Sequence, residues 1–212
     1  MVDPRKAIVA AGYDALGEGY LDWASAIVDA RERMLDTFSS RLAPGARVLD
    51  LGCGAGLPST RSLAARFAVT GVDISGSQVE AARRNVPEAT FVQADLAAVD
   101  IPAGSFEGVT ALYAISHVPR DEHAALLARI ARWLVPGGLF LATLGVEDGP
   151  DWIGDWLGRS MFFSSHDAAT NRSMLDAAGF ELLIDQVVQT VEPEGPVPFL
   201  WVLARRVGAT AR

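Results

Sequence analysis

The chain reads as one α/β domain built on a doubly wound parallel sheet, and three observations lead there. Arg47 to Gly56, Arg-Val-Leu-Asp-Leu-Gly-Cys-Gly-Ala-Gly, is a short apolar run that breaks at glycines spaced two apart and runs on into helix-forming residues. From there to Leu144, apolar runs of strand length alternate with stretches of helical spacing, as crossovers between parallel strands require. At 212 residues, half of them hydrophobic, the chain is long enough to bury the core of one such domain and too short for two.

Residues 1–45 are expected to form an N-terminal helical cap in two parts. Gly12, Gly17 and Gly19 argue against a helix over residues 11–19, although Arg5 to Ala10 could form a turn of one. Beyond them Tyr20, Trp23, Ile27, Ala30, Met34 and Phe38 recur at spacings of three and four, which predicts one helix of about five turns, ended by Pro44-Gly45.

Val48 to Leu51 then suits a strand buried on both faces, and the helix expected from Leu57 to Phe67 has Pro58 near its first turn, where a missing N–H costs nothing. Val69 to Asp73 is a second strand. A helix from Ser77 to Asn85 follows, stopped by Val86-Pro87, and Ala89 to Ala94 is a third strand. After the turn at Pro102 to Ser105, Phe106 to Ala114 is a fourth strand. Leu126, Leu127, Ile130 and Trp133 mark a helix from Arg120 that Pro136-Gly137-Gly138 closes before a fifth strand, Leu139 to Leu144.

Residues 145–166 change character, with Trp152, Trp156, Phe162 and Phe163 set among glycines and acids, and the stretch is too long for a plain connection. Ser164, Ser165 or Asp167 can cap a helix to Ala178, for which Gly179 is a left-handed stop. Phe180 to Thr190 and Pro198 to Arg206 read as a closing antiparallel hairpin, so residues 167–206 complete the sheet.

The acids at the strand ends carry the chemistry. Asp50, two residues before the first glycine, would repel a pyrophosphate held over the turn and attract an ammonium. Asp73 is placed to accept hydrogen bonds from a ribose diol, and Asp95 can accept from an exocyclic amino group. With no cluster of Lys or Arg nearby, these acids and the glycine turn suit an adenosine that carries an amino acid and no phosphate. A structural turn with no ligand would not also require acids at the ends of the next two strands.

Asp50-Leu51-Gly52-Cys53-Gly54-Ala55-Gly56, Asp73, Asp95 and Leu134-Val135-Pro136-Gly137-Gly138 resemble successive motifs of the class I S-adenosylmethionine-dependent methyltransferases. The resemblance is specific from Arg47 to Thr143. It implies a seven-stranded sheet of order 3-2-1-4-5-7-6 with strand 7 antiparallel, residues 46–144 as a cofactor-binding core, and S-adenosylmethionine as cofactor, with S-adenosylhomocysteine as product. It places Asp50 and Gly52 near the methionine part, Asp73 on the ribose hydroxyls and Asp95 with Leu96 at the adenine, and Gly54, Gly56 and Ile74 are further cofactor-binding candidates. Similar proteins often set an aromatic hydroxyl from the N-terminal segment over the cofactor's carboxylate, which singles out Tyr13 and Tyr20 against a plain packing role.

Methyl transfer is an in-line displacement in which holding the nucleophile supplies most of the catalysis, and a histidine base assists an alcohol, phenol or protonated amine. His117, at the end of the fourth strand, is the first candidate and His166 the second; each has an alternative as a helix-entry residue bonding backbone. Trp152, Trp156, Phe162 and Phe163 make 145–166 a candidate substrate lid for a small hydrophobic or aromatic acceptor, against a role in closing the sheet edge. Two other functions stay open: a protein of this fold that binds the cofactor but does not methylate, and an NAD-dependent oxidoreductase. The latter has against it the Gly-x-Gly-x-Gly spacing, Asp50 before the turn, and no evident Tyr and Lys pair.

With 18 basic and 26 acidic residues the net charge is −8, which disfavours a nucleic acid partner. The single cysteine, Cys53, offers no internal disulfide, and no spacing of Cys and His suggests a metal site. No apolar run approaches a membrane span and no signal-peptide core is visible, so the expectation is a cytoplasmic monomer or homodimer away from membranes.

Overall fold

The computed structural model describes residues 3–17, 19–25, 27, 30–193 and 195–207. Its centre is a seven-stranded sheet containing β1 (Arg47–Leu51), β2 (Ala68–Asp73), β3 (Thr90–Gln93), β4 (Phe106–Ala111), β5 (Leu134–Leu144), β8 (Phe180–Glu192) and β9 (Gly195–Arg206). Their order is β3-β2-β1-β4-β5-β9-β8. The first five run parallel, and β9 is antiparallel to both neighbours. Because β6 (Gly149–Trp156) and β7 (Arg159–Ser165) form a separate antiparallel pair, β8 and β9 are the sixth and seventh strands of the main sheet. The order expected from the motifs is therefore the order found.

The central strands are apolar because both faces are covered. Leu49, Leu51, Val109 and Phe140 pack with Leu126, Leu127, Ile130 and Trp133 of α6 (His123–Trp133) in one core cluster. Met34, Leu35 and Phe38 of α3 (Arg31–Ser39) meet Val48, Leu141 and Trp201 in another. The Pro136-Gly137-Gly138 run lies inside β5, where the pairing with β4 shifts register; Gly137 takes a φ of +79° there. The motif read as a helix stop is thus a bulge in a longer strand.

The N-terminal segment departs from expectation. α1 runs from Pro4 to Leu16, with the Asp3 side chain accepting from the Arg5 N–H at 2.8 Å and Gly17 at its C-cap. Gly12 does not break it, and a Cβ there would lie 2.7 Å from Met161 Cε and 2.9 Å from the Ser160 carbonyl oxygen. The glycine serves close approach of α1 to β7. The single helix expected from Tyr20 is two, α2 (Gly19–Ser25) and α3. The helix after the glycine turn is short, α4 (Ser59–Ala64), whereas α5 (Gly76–Asn85) and α7 (Ala168–Ala177) are as expected, capped by Ser75 and Asp167. No helix among the described residues is long and apolar enough to cross a membrane.

Candidate active site

At the carboxyl ends of β1, β2 and β4 the chain turns sharply, and a cavity opens there. Gly52, Gly54 and Gly56 take φ values of +70°, +52° and +77°, a region L side chains rarely adopt. A Cβ on Gly52 would lie 2.4 Å from the Ala114 Cβ, whereas one on Gly54 would have nothing closer than 3.8 Å. The first glycine is needed for packing, and the second leaves backbone bare toward open space. That space measures about 650 Å³, its open mouth included, and its walls include Tyr13, Tyr20, Gly52, Gly54, Asp73, Ile74, Asp95, Leu96 and His117.

Asp73, 8% exposed, accepts the Gly54 N–H at 2.8 Å on one oxygen and the Ser75 N–H at 2.9 Å on the other. Burial pushes its carboxyl up to about 6 against those two donors. One oxygen of Asp95 accepts the Ala97 N–H at 2.8 Å and the other the Lys6 ammonium at 2.7 Å.

Asp50 and Gly56 are not on the cavity wall. Asp50 is buried beneath the turn, one oxygen accepting from the Thr60 hydroxyl at 2.6 Å and the other from Thr110 at 2.7 Å, and burial raises its pKa. It ties β1 to β4 and α4 instead of facing a ligand. Gly56 lies against Val86 and Ala82 of α5, where a Cβ would come within 3.0 Å of Val86.

A second, larger cavity of about 1510 Å³, its open mouth included, shares a wall with the first: Tyr13, Tyr20, Tyr113 and His117 border both. His117 is fixed by two contacts. Its Nδ1 lies 3.0 Å from the Phe162 carbonyl oxygen, which only accepts, so Nδ1 carries the proton and Nε2 accepts from the Tyr13 hydroxyl at 2.9 Å. Burial pushes its pKa down to about 4, so the imidazole is neutral at ordinary pH. Burial likewise raises the Tyr13 phenol well above its ordinary value, followed by the effect of nearby Tyr20.

Trp152, Trp156 and Phe163 line the second cavity. Trp156 is the hub, with ring centroids at 5.1 Å from Trp23, 5.6 Å from Phe163 and 6.0 Å from Tyr13. Phe162 is fully buried and does not line this cavity, because it pairs with Ile153 on the strand face opposite Trp152 and Phe163. His166 lies outside both cavities. Its Nε2 donates to the Arg120 carbonyl at 3.1 Å and its Nδ1 accepts from the Arg120 guanidinium at 3.0 Å.

Four contributors escape a reading of the sequence. Lys6 comes from α1 to the first cavity, and Trp23 and the β8–β9 turn region (Glu192, Pro198, Phe199) wall the second. Tyr113 is the fourth, and its φ of +58° turns the chain off β4. Only a left-handed tyrosine, invisible in sequence, marks that position, and backbone held there is a recurrent feature of functional sites. Among the described residues no group of His, Cys, Asp and Glu could hold a metal.

The methyltransferase domain family model matches residues 48–138, which span the glycine turn and the acids at the ends of β2 and β3. The chain belongs to the class I S-adenosylmethionine-dependent methyltransferases. An O-methyltransferase of Pyrenophora dematioidea is 32% identical to this chain over 168 residues, 73% of this chain and 62% of its own length. A ubiquinone biosynthesis O-methyltransferase of Xanthomonas campestris is 41% identical over 118 residues, 52% of this chain and 48% of its own. The chain thus spans about half to three-fifths of the length of these relatives. Among solved structures, a 1,6-didemethyltoxoflavin-N1-methyltransferase of Burkholderia thailandensis, with bound 1,6-didemethyltoxoflavin and S-adenosylhomocysteine, superposes with a TM-score of 0.75 at 22% identity, covering 98% of this chain and 92% of its own.

Proposed function

We propose that this protein transfers a methyl group from S-adenosylmethionine to a small hydrophobic or aromatic molecule. The observation that carries the proposal is the shared wall. One cavity lined by carboxylates and bare glycine backbone meets another lined by rings, across Tyr13, Tyr20, Tyr113 and His117. The first cavity fits an adenosine without phosphate: Asp73 and Asp95 keep lone pairs beyond their present donors, and the one cation on its wall among the described residues, Lys6, is already paired with Asp95 and Glu122. Asp73 and Ile74 would hold the ribose, Asp95 and Leu96 the adenine, and Gly52 and Gly54 the amino-acid portion. When bound, the cofactor supplies an electrophilic methyl on a sulfonium.

The chain's own part is positioning and proton transfer. Trp152, Trp156 and Phe163, on the hairpin proposed as substrate lid, would hold a flat apolar acceptor and exclude water. Because His117 Nε2 accepts from the Tyr13 hydroxyl, an acceptor hydroxyl or amine can pass its proton to Tyr13 as Tyr13 passes its own to His117. The imidazole is neutral over the physiological range, which leaves Nε2 open to a proton, and burial makes it a weaker base than an exposed histidine. With a net charge of −8, a polyanionic acceptor such as nucleic acid is disfavoured, and the ring-lined second cavity favours a small apolar molecule.

The test is isotope transfer from methyl-labelled S-adenosylmethionine into a panel of phenols, amines and carboxylic acids, beside calorimetry with S-adenosylhomocysteine and NAD. Label in a phenol or amine together with binding of S-adenosylhomocysteine is expected. Binding of NAD and not of S-adenosylhomocysteine would overturn the proposal.

A further inference from the structure

Of the 18 basic residues in this chain, one is a lysine. Lys6 lies in the first turn of α1 and is 7% exposed, against a background in which arginine supplies the other positive side chains. Its ammonium lies 2.7 Å from Asp95 Oδ2 and 2.6 Å from Glu122 Oε2, and it borders the first cavity beside Leu96 and Val118. Burial works against the charge, and the two carboxylates outweigh it, holding the ammonium above its ordinary pKa.

An ammonium has three N–H donors in tetrahedral arrangement, and two carboxylates take two of them. A guanidinium would not serve in the same way. It is longer and planar, and its donors lie in one fork that matches a single carboxylate, whereas a compact point donor can bridge two and keep a third direction free. Asp95 Oδ1 is meanwhile committed to the Ala97 N–H, so Lys6 and Asp95 form a fixed donor and acceptor side by side on the wall. The edge of an adenine presents the complement, an amino donor flanked by the ring acceptors N1 and N7.

We propose that Lys6 is a specificity-determining residue of the cofactor cavity, donating its third N–H to the adenine ring nitrogen that flanks the amino group held by Asp95. This rests on the cofactor reading above. It makes α1, and not only the glycine turn and the strand ends, part of how the adenine is read.

The experiment is a cycle between residue and ligand atom, read by calorimetry and so independent of turnover. S-adenosylhomocysteine and its 1-deaza and 7-deaza analogues, each with one ring nitrogen replaced by C–H, are titrated into the natural protein, Lys6→Met and Lys6→Arg. The natural protein is expected to lose about 10-fold or more in affinity for one of the two analogues, as a charge-assisted hydrogen bond implies. In Lys6→Met, S-adenosylhomocysteine itself should weaken by a similar factor and the penalty for that analogue should vanish; Lys6→Arg should not restore it. A purely structural tie between α1 and Asp95 would weaken all three ligands equally and keep the ratios, and that result overturns the proposal. Glu122→Gln keeps the lysine in place and removes one of its anchors. If Lys6→Met does not fold, persistence of the full analogue penalty in Glu122→Gln supports the contact, and equal affinity of the natural protein for all three ligands overturns it. Failure of the natural protein to bind S-adenosylhomocysteine at all would instead remove the cofactor reading.

Discussion

Asp73→Asn separates what the first cavity does for the fold from what it does for a ligand. The Asp73 carboxyl is buried and its pKa is pushed from 3.8 up to about 6, so the folded state favours the protonated form. The stability that this preference gives is complete below about pH 3.8 and is lost as pH rises to about 6, at about 1.4 kcal/mol per unit, or about 3 kcal/mol in all. At neutral pH the ionised carboxylate is therefore a burden on the fold, which asparagine removes. Against that, the amide offers one oxygen to the two N–H groups of Gly54 and Ser75, and one backbone donor is left without an acceptor at a cost of about 1–3 kcal/mol. The two effects oppose, and urea denaturation should find Asp73→Asn within about 2 kcal/mol of the natural protein. Binding has no such offset. Charge-assisted hydrogen bonds from ribose hydroxyls contribute about 1.5–3 kcal/mol, so calorimetry should show S-adenosylhomocysteine weakened by about 10- to 150-fold. Since those donors need the ionised form, affinity of the natural protein should climb between about pH 4 and pH 6 and stay flat in the variant. A folded Asp73→Asn protein that binds S-adenosylhomocysteine within threefold of the natural one refutes the reasoning.

His117→Gln should lower turnover by about 10² while changing cofactor affinity little, in single-turnover assays with labelled S-adenosylmethionine. His117 has a folded pKa pushed down to about 4, so the natural protein should lose about 3 kcal/mol of stability as pH falls from about 6.5 to 4, and the variant should not. Gly54→Ala should cost the fold about 1–2 kcal/mol for its left-handed backbone yet weaken S-adenosylhomocysteine at least 10-fold, whereas Gly52→Ala, 2.4 Å from Ala114, should lower the melting temperature far more. Gly12→Val drives a side chain against Met161 and the fixed Ser160 carbonyl, and should destabilise by about 1–3 kcal/mol with faster hydrogen exchange in both α1 and β7.

The main sheet was legible because its signals are local. Buried parallel strands are apolar runs, and Gly52, Asp167 and Gly179 announce the turns and caps beside them, whereas the cap at Ser75 was seen only in the structure. What failed was local too, but ambiguous. Gly12 is a helix breaker by propensity and a contact point in fact, since packing of α1 on β7 outweighs about 1 kcal/mol of helix preference. Residues 145–166 look irregular because glycines interrupt the alternation, although Trp152 pairs with Phe163 in a hairpin whose register shifts only between Gly149 and Trp152. That pairing also explains why three of its four rings share a cavity and Phe162 does not. For the site, motif spacing reached the strand ends and stopped there. It located Asp73, Asp95 and His117, but could not tell that Asp50 turns inward to Thr60 and Thr110, nor that Lys6, 89 residues away in sequence, meets Asp95.

The helix that sequence reading discounted is the one that joins the two cavities. α1 spans the first cavity with its ends tied down on opposite sides. Asp14 accepts from the Ser75 hydroxyl and the Ser77 N–H at the start of α5, while Lys6 holds Asp95 and Glu122. Beside Lys6, Arg5 reaches Asp121 and, on β6, Asp151 at 2.7 Å. Between those ties Gly12 lets the helix lie against the hairpin, and Tyr13 projects into the shared wall to bond His117. One short helix therefore carries a lysine on the wall of the first cavity and a tyrosine on the wall that the two cavities share, so the packing of α1 on β7 through Gly12 sets the position of both.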